Sequence, residues 1–146
     1  MENKFEKAYW VDFPKKGKRE IGYLGIASID SGLPFDLKRS FWTLDTPPGV
    51  IRGKHAHYKT EMVILALQGK IKLQLEYIDK SCETFILDNP YKGVFIPKLC
   101  WHDIQHSSGT VQLVMTNSIY KESDYIRDEV IFNQMQEEYR IKFPLV

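Results

Sequence analysis

The stretch that decides the fold is Met62-Val-Ile-Leu-Ala-Leu-Gln-Gly-Lys-Ile-Lys-Leu-Gln-Leu-Glu-Tyr77. Its first part, Met62 to Leu67, is a continuous apolar run of the length typical of a buried strand. The dipeptide Gln68-Gly69 signals a turn. From Lys70 to Tyr77, polar and apolar residues alternate as they do in a strand with one buried face. The stretch therefore predicts two extended segments joined by a short turn.

Similar short extended runs lie on both sides of this stretch and are separated by Gly, Pro, Asn and Asp. The predicted runs are Tyr9–Phe13, Ile21–Ile29, Lys38–Leu44, Val50–His57, Thr84–Leu87, Gly93–Ile96, His102–Gln105 and Val111–Asn117. About ten strands at this spacing predict an all-β sandwich or barrel. The period becomes helical only near the C-terminus, where we predict a short helix over about 124–139, capped by Ser123 and Asp124.

Length and composition limit the possible classes of protein. A chain of 146 residues with 43% hydrophobic residues supports one domain, spanning 1–146, with a substantial core. Its net charge of +1 argues against nucleic acid as a partner. No apolar run is long enough to cross a membrane, and Met1 to Lys4 does not open a signal peptide. Cys82 and Cys100 fit no CxxC spacing, so we expect free thiols and a cytoplasmic location.

The four histidines fall into two short clusters. His55 and His57 lie in one, and His102 and His106 lie in the other. Histidine is suited to proton transfer at neutral pH and is the commonest metal ligand, so these clusters are the candidate site. Residues i and i+2 of a strand share a face, which predicts that His55 and His57 point into the barrel together. We expect His106 to be a surface residue at a strand end.

The residues around these histidines resemble the two motifs of the cupins. The resemblance rests on His55-x-His57, Gly69, Gly93, Pro97 and His102. It implies a single-domain cupin, a double-stranded β-helix or jelly-roll barrel. Metal-binding cupins carry a glutamate where this chain has Met62. Glu61 is one residue early, which turns its side chain to the opposite face of a strand. Three histidines could still hold zinc, but our expectation is no metal.

Longer strings resemble a narrower family, the cupin ketoisomerases that act on nucleotide sugars. They are Arg52-Gly-x-His-Ala-His57, Trp101-His102 and Ser123-Asp-Tyr-Ile-Arg127, and the resemblance extends from about Phe13 to about Phe132. It implies interconversion of 4-keto and 3-keto forms of a dTDP-linked 6-deoxyhexose, with no cofactor. It also implies a homodimer in which the strand at about 9–13 is exchanged.

This resemblance suggests a role for each candidate residue. We assign His55 as the base that removes the C3 proton and His57 as the partner that protonates or polarises oxygen, and the reverse assignment remains open. His102 contacts the sugar or carries the proton to C4. Arginine binds phosphate through two parallel hydrogen bonds. The substrate-binding residues are therefore predicted to be Arg39, Arg52 and Arg127 on the diphosphate, with Trp101 or Trp42 stacked on the base or the sugar.

Two other functions are compatible with the sequence. One is a cupin that binds a nucleotide sugar without catalysis and partners an acyl- or aminotransferase. The other is a metal-dependent cupin enzyme. Because a fold does not determine an activity, the residues alone do not separate these alternatives. Nor do they decide the C4 configuration of the product.

Overall fold

The computed structural model describes residues 5–144, which form twelve β-strands, one short 3-10 helix and one α-helix. The strands are β1 (Tyr9–Asp12), β2 (Lys15–Lys18), β3 (Gly22–Gly25), β4 (Arg39–Thr43), β5 (Ile51–His57), β6 (Met62–Gln68), β7 (Ile71–Tyr77), β8 (Cys82–Leu87), β9 (Lys92–Ile96), β10 (Cys100–His106), β11 (Val111–Thr116) and β12 (Tyr125–Ile126). The 3-10 helix is Glu122–Asp124, and the α-helix α1 is Glu129–Lys142. The predicted all-β fold with a short C-terminal helix is confirmed.

Ten of the strands form two antiparallel five-stranded sheets. Their orders are β1-β9-β6-β11-β4 and β12-β5-β10-β7-β8, and β2 and β3 form a separate hairpin. The sheets pack face to face around an apolar core, to which Ile64 and Val94 contribute from one sheet and Leu73 and Leu75 from the other. Each such side chain stabilises the fold by about 1.5–3 kcal/mol when it is fully buried. This arrangement is the cupin jelly roll.

The turn in the deciding stretch carries the chain from one sheet to the other. β6 and β7 follow each other in sequence, yet β6 pairs with β9 and β11, whereas β7 pairs with β8 and β10. Gly69 makes this turn with a φ of 77°, and a Cβ there would lie 2.4 Å from Thr110 Oγ1. Only glycine fits this close approach. The continuous apolar pattern of β6 follows from burial on both of its faces.

The N-terminal part differs from the prediction in its details. β1 agrees with the strand expected at about 9–13, and it pairs with β9 of the same chain. β2 was not predicted, and the expected strand Ile21–Ile29 is reduced to β3. Every residue of β2 and β3 is exposed. No burial pattern therefore marked this hairpin in the sequence.

The predicted start of the C-terminal helix is wrong. α1 begins at Glu129, and its N-cap is Asp128, whose side chain accepts a hydrogen bond from the backbone N–H of Val130. Tyr125 and Ile126, which we placed in the helix, form β12 and pair with β5. Asp124 does not cap the helix because its carboxylate accepts hydrogen bonds from the loop that follows β5. No helix of the described residues has the length and hydrophobicity needed to span a membrane.

Candidate active site

The candidate site is a cavity of about 210 Å3 between the two sheets, on the side where β4 faces β5 and β12. Its polar walls include Thr43 and Gln112 together with three of the four histidines, two arginines and one tyrosine. The histidines, arginines and tyrosine are His55, His57, His102, Arg52, Arg127 and Tyr125. The sequence prediction that His55 and His57 share a face is therefore correct, because both line this cavity.

A bulge in β5 brings Arg52 to the same cavity as His55. The two residues are three positions apart and would face opposite sides of a regular strand. Gly53 and Lys54 between them have φ values of 79° and 55°, and the pairing with β10 shifts register at this point. The extra residue of the bulge compensates for this odd spacing, so that both side chains face the cavity. As a result, His55 lies opposite His102, and Arg52 lies opposite Ile104.

The three histidine rings form a compact cluster. The ring centroid of His55 lies 5.0 Å from that of His57 and 4.4 Å from that of His102, and the other two centroids are 6.0 Å apart. One nitrogen of each ring lies within 4.8 Å of the other two. A single bound group of small size can therefore contact all three imidazoles.

The Nδ1 of each ring makes a hydrogen bond to an oxygen atom that can only accept. The contacts are His55 to Gly53 O at 2.9 Å, His57 to Asp124 Oδ2 at 3.2 Å and His102 to Cys100 O at 3.2 Å. Nδ1 consequently carries the hydrogen in each neutral ring, and Nε2 has a free lone pair. All three Nε2 atoms are left as proton acceptors for a ligand.

Burial lowers the pKa of all three imidazoles. It is the main cause at His55, and at His57 burial and the nearby His55 lower the pKa to about 4. The pKa of the fully buried His102 is lowered well below its ordinary value, by burial and by its two histidine neighbours. The three rings are therefore neutral at pH 7. The contact between His57 and Asp124 is then a hydrogen bond to a carboxylate rather than a full ion pair.

Asp124 fixes the His57 ring and also joins two loops. Its carboxylate accepts hydrogen bonds from Lys59 N at 2.8 Å, from Thr60 N at 3.2 Å and from Thr60 Oγ1. Burial alone would raise the pKa of Asp124, but these hydrogen bonds and His57 outweigh it and lower the pKa. The carboxylate is therefore charged at neutral pH. This role was not predicted from the sequence, because Asp124 was assigned to the helix cap.

Tyr125 is a second residue whose place in the site was not predicted. Its ring lies 4.9 Å from the ring of His55 and 4.4 Å from that of His57, measured between centroids. β12 presents it there by pairing Tyr125 with His57. The string Ser123-Asp-Tyr-Ile-Arg127 contained the signal, but the helical interpretation of this segment concealed it.

The three candidate arginines differ in whether their charge is already paired. Arg127 makes two hydrogen bonds to Glu122, at 2.7 and 3.1 Å, and its guanidinium lies 4.1 Å from the centre of the Tyr125 ring. Arg39 is half-buried, and its Nε has no partner among the described residues. Within residues 5–144, Arg52 also makes no ion pair. Arg39 and Arg52 are therefore the guanidinium groups available to an anion.

Several other expectations are corrected by the positions of the side chains. Trp101 does not line the cavity, because it alternates with His102 and packs on Phe132 of α1, with ring centroids 5.6 Å apart. Trp42 alternates with Phe41 in β4 and is exposed on the outer face. His106 is not a surface residue, since only 4% of it is exposed.

Glu61 and Met62 take the opposite orientations that the strand register predicts. Met62 lines the cavity, whereas the Glu61 carboxylate accepts a hydrogen bond from Asn117 Nδ2 at 3.0 Å. Among the described residues, the one group with metal-binding geometry is His55, His57 and His102. Three imidazoles whose Nδ1 atoms are held by acceptors suit zinc. This donor set therefore fits a metal, without a carboxylate ligand.

Comparisons with known proteins point to one family. A model of the WxcM-like, C-terminal family (FdtA) matches residues 6–137. The chain is 33% identical over 128 residues to the TDP-4-oxo-6-deoxy-alpha-D-glucose-3,4-oxoisomerase of Aneurinibacillus thermoaerophilus, and the match covers 87% of each chain. It also resembles two solved structures.

The first structure is WlaRA, a TDP-fucose-3,4-ketoisomerase from Campylobacter jejuni, with 29% identity and a TM-score of 0.82 over 90% of this chain and 96% of that chain. The second is a histidine-to-asparagine mutant of the 3,4-ketoisomerase QdtA from Thermoanaerobacterium thermosaccharolyticum, in complex with TDP-4-keto-6-deoxyglucose. It has 26% identity and a TM-score of 0.84 over 97% of this chain and all of that chain.

Proposed function

The chain belongs to the WxcM-like, C-terminal family, and from that membership we propose that it is a 3,4-ketoisomerase of a dTDP-4-keto-6-deoxyhexose. The observation that carries the proposal is the convergence of three neutral imidazoles, each with a free Nε2, in one cavity. Moving a ketone from C4 to C3 requires two proton transfers. The proton on C3 moves to C4, and the proton of the C3 hydroxyl moves to the oxygen on C4. Two proton acceptors side by side can perform both transfers.

We assign the transfer of the carbon-bound proton to His55. The C4 carbonyl makes the hydrogen on C3 acidic, and His55 Nε2 removes it to give an enediolate with its negative charge on the C4 oxygen. The same imidazolium then returns a proton to C4. A neutral imidazole is the suitable base for this step at pH 7. The negative charges of the bound diphosphate would raise the lowered pKa of His55 and make it a better base in the complex.

We assign the transfer of the hydroxyl proton to His57. Its Nε2 accepts the proton of the C3 hydroxyl as the C3 ketone forms and gives it to the oxygen at C4. Asp124 stabilises the positive charge on His57 during this transfer, as a buried carboxylate does for a catalytic histidine. Both histidines return to their starting state at the end of the cycle, so the reaction consumes no co-reactant.

The remaining polar residues hold the substrate. Arg52 supplies an unpaired guanidinium group for the diphosphate, and Arg127 lines the cavity in its pair with Glu122. Arg39 does not line the cavity, but its unpaired Nε makes it a second candidate for the diphosphate. His102 closes the inner wall and contacts the sugar.

Turnover in deuterated water tests the proposal. The purified protein should convert a dTDP-4-keto-6-deoxyhexose to its 3-keto isomer, with deuterium appearing at C4 of the product in NMR spectra. Absence of both the 3-keto sugar and deuterium in it would refute the proposal. The His55→Asn variant should bind dTDP with unchanged affinity and lose turnover. A binding protein without catalysis would show the same dTDP affinity but no turnover in the unsubstituted protein.

The three-histidine cluster favours a metal-dependent reaction as the second candidate. Acid–base isomerisation and the metal-dependent reaction are distinguished by treating the purified protein with a chelator and measuring its metal content and its activity. Acid–base isomerisation predicts full activity after chelation. Loss of activity that returns with one equivalent of a divalent metal would favour the second candidate.

We also propose a cytoplasmic homodimer. The location is supported by the two free cysteines, Cys82 and Cys100. The dimer is supported by β1, an edge strand with the exposed aromatic residues Tyr9 and Trp10, because a free edge of this kind can pair with another chain. Light scattering should give twice the mass of 17.1 kDa. Trp10→Lys should weaken the assembly, whereas Trp42→Lys, on the exposed strand β4 at the opposite edge of the same sheet, should not.

A further inference from the structure

A buried polar pair lies beyond the histidine cluster. His106 and Gln112 are each 4% exposed, and His106 Nε2 donates to Gln112 Oε1 at 2.8 Å. Because the amide oxygen only accepts, this contact sets the tautomer of His106 and the orientation of the amide. Nδ1 of His106 is then an acceptor without a partner among the described residues. The role of this pair is not explained by the chemistry of the other three histidines.

The amide nitrogen of Gln112 is directed to no protein acceptor. Within residues 5–144, the one hydrogen bond of the Gln112 side chain is that to His106. Gln112 also lines the cavity, between the apolar side chains of Ile104 and Val114 and opposite Thr43. This nitrogen is therefore an unpaired donor that is open to the cavity rather than fully buried. A ligand oxygen in the cavity would satisfy this donor.

The register of the strands shows which part of a substrate reaches Gln112. His102, Ile104 and His106 follow each other on the inner face of β10, about 7 Å apart at each step. Arg52 lies opposite Ile104, one step from His102, and Gln112 contacts His106, at the next step. Gln112 therefore lies one step beyond Arg52 along β10, on the side away from His102. A group bound by Arg52 can extend toward it.

We propose that the Gln112 amide donates a hydrogen bond to an oxygen of the substrate diphosphate, and that His106 positions this amide. The identity of the ligand rests on the proposed function. Gln112 is a specificity-determining residue that binds a phosphate oxygen next to Arg52. His106 is a positioning residue, which does not touch the substrate.

Binding of dTDP, which has the diphosphate and no sugar, tests the first part. Gln112→Met has nearly the same shape and no donor. By calorimetry it should bind dTDP about tenfold more weakly, as expected for a lost hydrogen bond to a charged group. Gln105→Met is the matched control, because Gln105 is the neighbouring outward-facing glutamine of β10. Its dTDP affinity should not change.

Gln112→Glu provides a second variant that retains an acceptor for His106 and loses the donor. It should weaken dTDP binding more than Gln112→Met, because a carboxylate repels the diphosphate. Unchanged dTDP affinity in either folded variant overturns the proposal. A loss confined to the complete nucleotide sugar also overturns it, since the contact would then be to the sugar. Because dTDP binding requires no turnover, these outcomes are independent of the isomerase assay.

A double-substitution cycle tests the positioning role of His106. His106→Leu should weaken dTDP binding less than tenfold, and adding it to Gln112→Met should cause no further loss. A purely structural role predicts a lower melting temperature with losses of affinity that multiply in the double variant. That result would overturn the assignment of His106.

Discussion

His57 and Asp124 are 67 positions apart in the chain, and the hydrogen bond between His57 Nδ1 and Asp124 Oδ2 measures 3.2 Å. β12 creates this contact by pairing Tyr125 with His57, which places the preceding residue beside the ring. The carboxylate sets the tautomer of His57 and raises its pKa against the stronger effects of burial and His55. The contact thus joins the C-terminal segment to the proposed chemistry in β5.

Replacing Asp124 with asparagine should lower kcat by about a hundredfold or more, because an amide that donates to Nδ1 favours the wrong tautomer of His57. Asparagine retains one acceptor oxygen for the backbone N–H groups of Lys59 and Thr60, so the fold should persist. Steady-state kinetics with a circular dichroism spectrum measures both effects. Asp128→Asn is the control, because asparagine caps a helix as well as aspartate does. Equal kcat values for the two variants would contradict the role of Asp124.

The pH dependence of kcat/KM should reflect the lowered pKa values of the histidines. His57 has a pKa of about 4, and that of His55 is also below its ordinary value of 6.5. Both rings must be neutral to accept protons, so activity is retained above these pKa values and is lost as the pH falls through them. We expect a flat profile from pH 8 to 7 and a decline only below the ordinary histidine pKa of 6.5.

The Asp124→Asn variant offers a check on this profile. Because the Asp124 charge raises the pKa of His57, its removal should move that part of the acid limb to lower pH. An acid limb with its midpoint at pH 6.5 or higher in the unsubstituted protein would show that burial does not lower the pKa values of these histidines. Rates should be measured at constant ionic strength, since salt screens the proposed contacts with the diphosphate.

Gly53→Ala should destabilise the protein and reduce activity. A Cβ at position 53 would lie 2.6 Å from the carbonyl oxygen of His102, and the φ of 79° is unfavourable for alanine. The positive φ alone costs about 1–2 kcal/mol. Gly49→Ala is a matched control, because Gly49 has a φ of 85° and a Cβ there would meet no atom within 4 Å. Urea denaturation should show a larger loss for Gly53→Ala, and similar losses would mean that the bulge tolerates a side chain.

Arg52→Gln should weaken dTDP binding more than Arg127→Gln does. The Arg52 guanidinium has no ion pair within the described residues, whereas Arg127 is already bonded to Glu122. An unpaired guanidinium contributes its full charge to a diphosphate. Calorimetry at two salt concentrations should give a loss of about tenfold or more for Arg52→Gln, with a weaker salt dependence. A larger effect of Arg127→Gln would reassign the diphosphate contact to Arg127.

The sequence by itself determined the strands and the central histidines. The alternation from Lys70 to Tyr77 and the apolar run from Met62 follow directly from burial of one or both strand faces, and this pattern is local. The pair His55-x-His57 faces one side because the period of a strand is two. The same rule predicted that Met62, and not Glu61, faces the cavity.

Only the tertiary structure decided which distant residues complete the site. Asp124 and Tyr125 belong to a segment with a helical pattern, and pairing with β5 overrides that local preference. Trp101 and His106 both lie outside their expected environments: the first packs beneath α1, and the second is buried against Gln112. A bulge at Gly53 turns Arg52 inward. These placements depend on strand register and on contacts between residues far apart in the chain. A local pattern of polar and apolar residues determines neither of them.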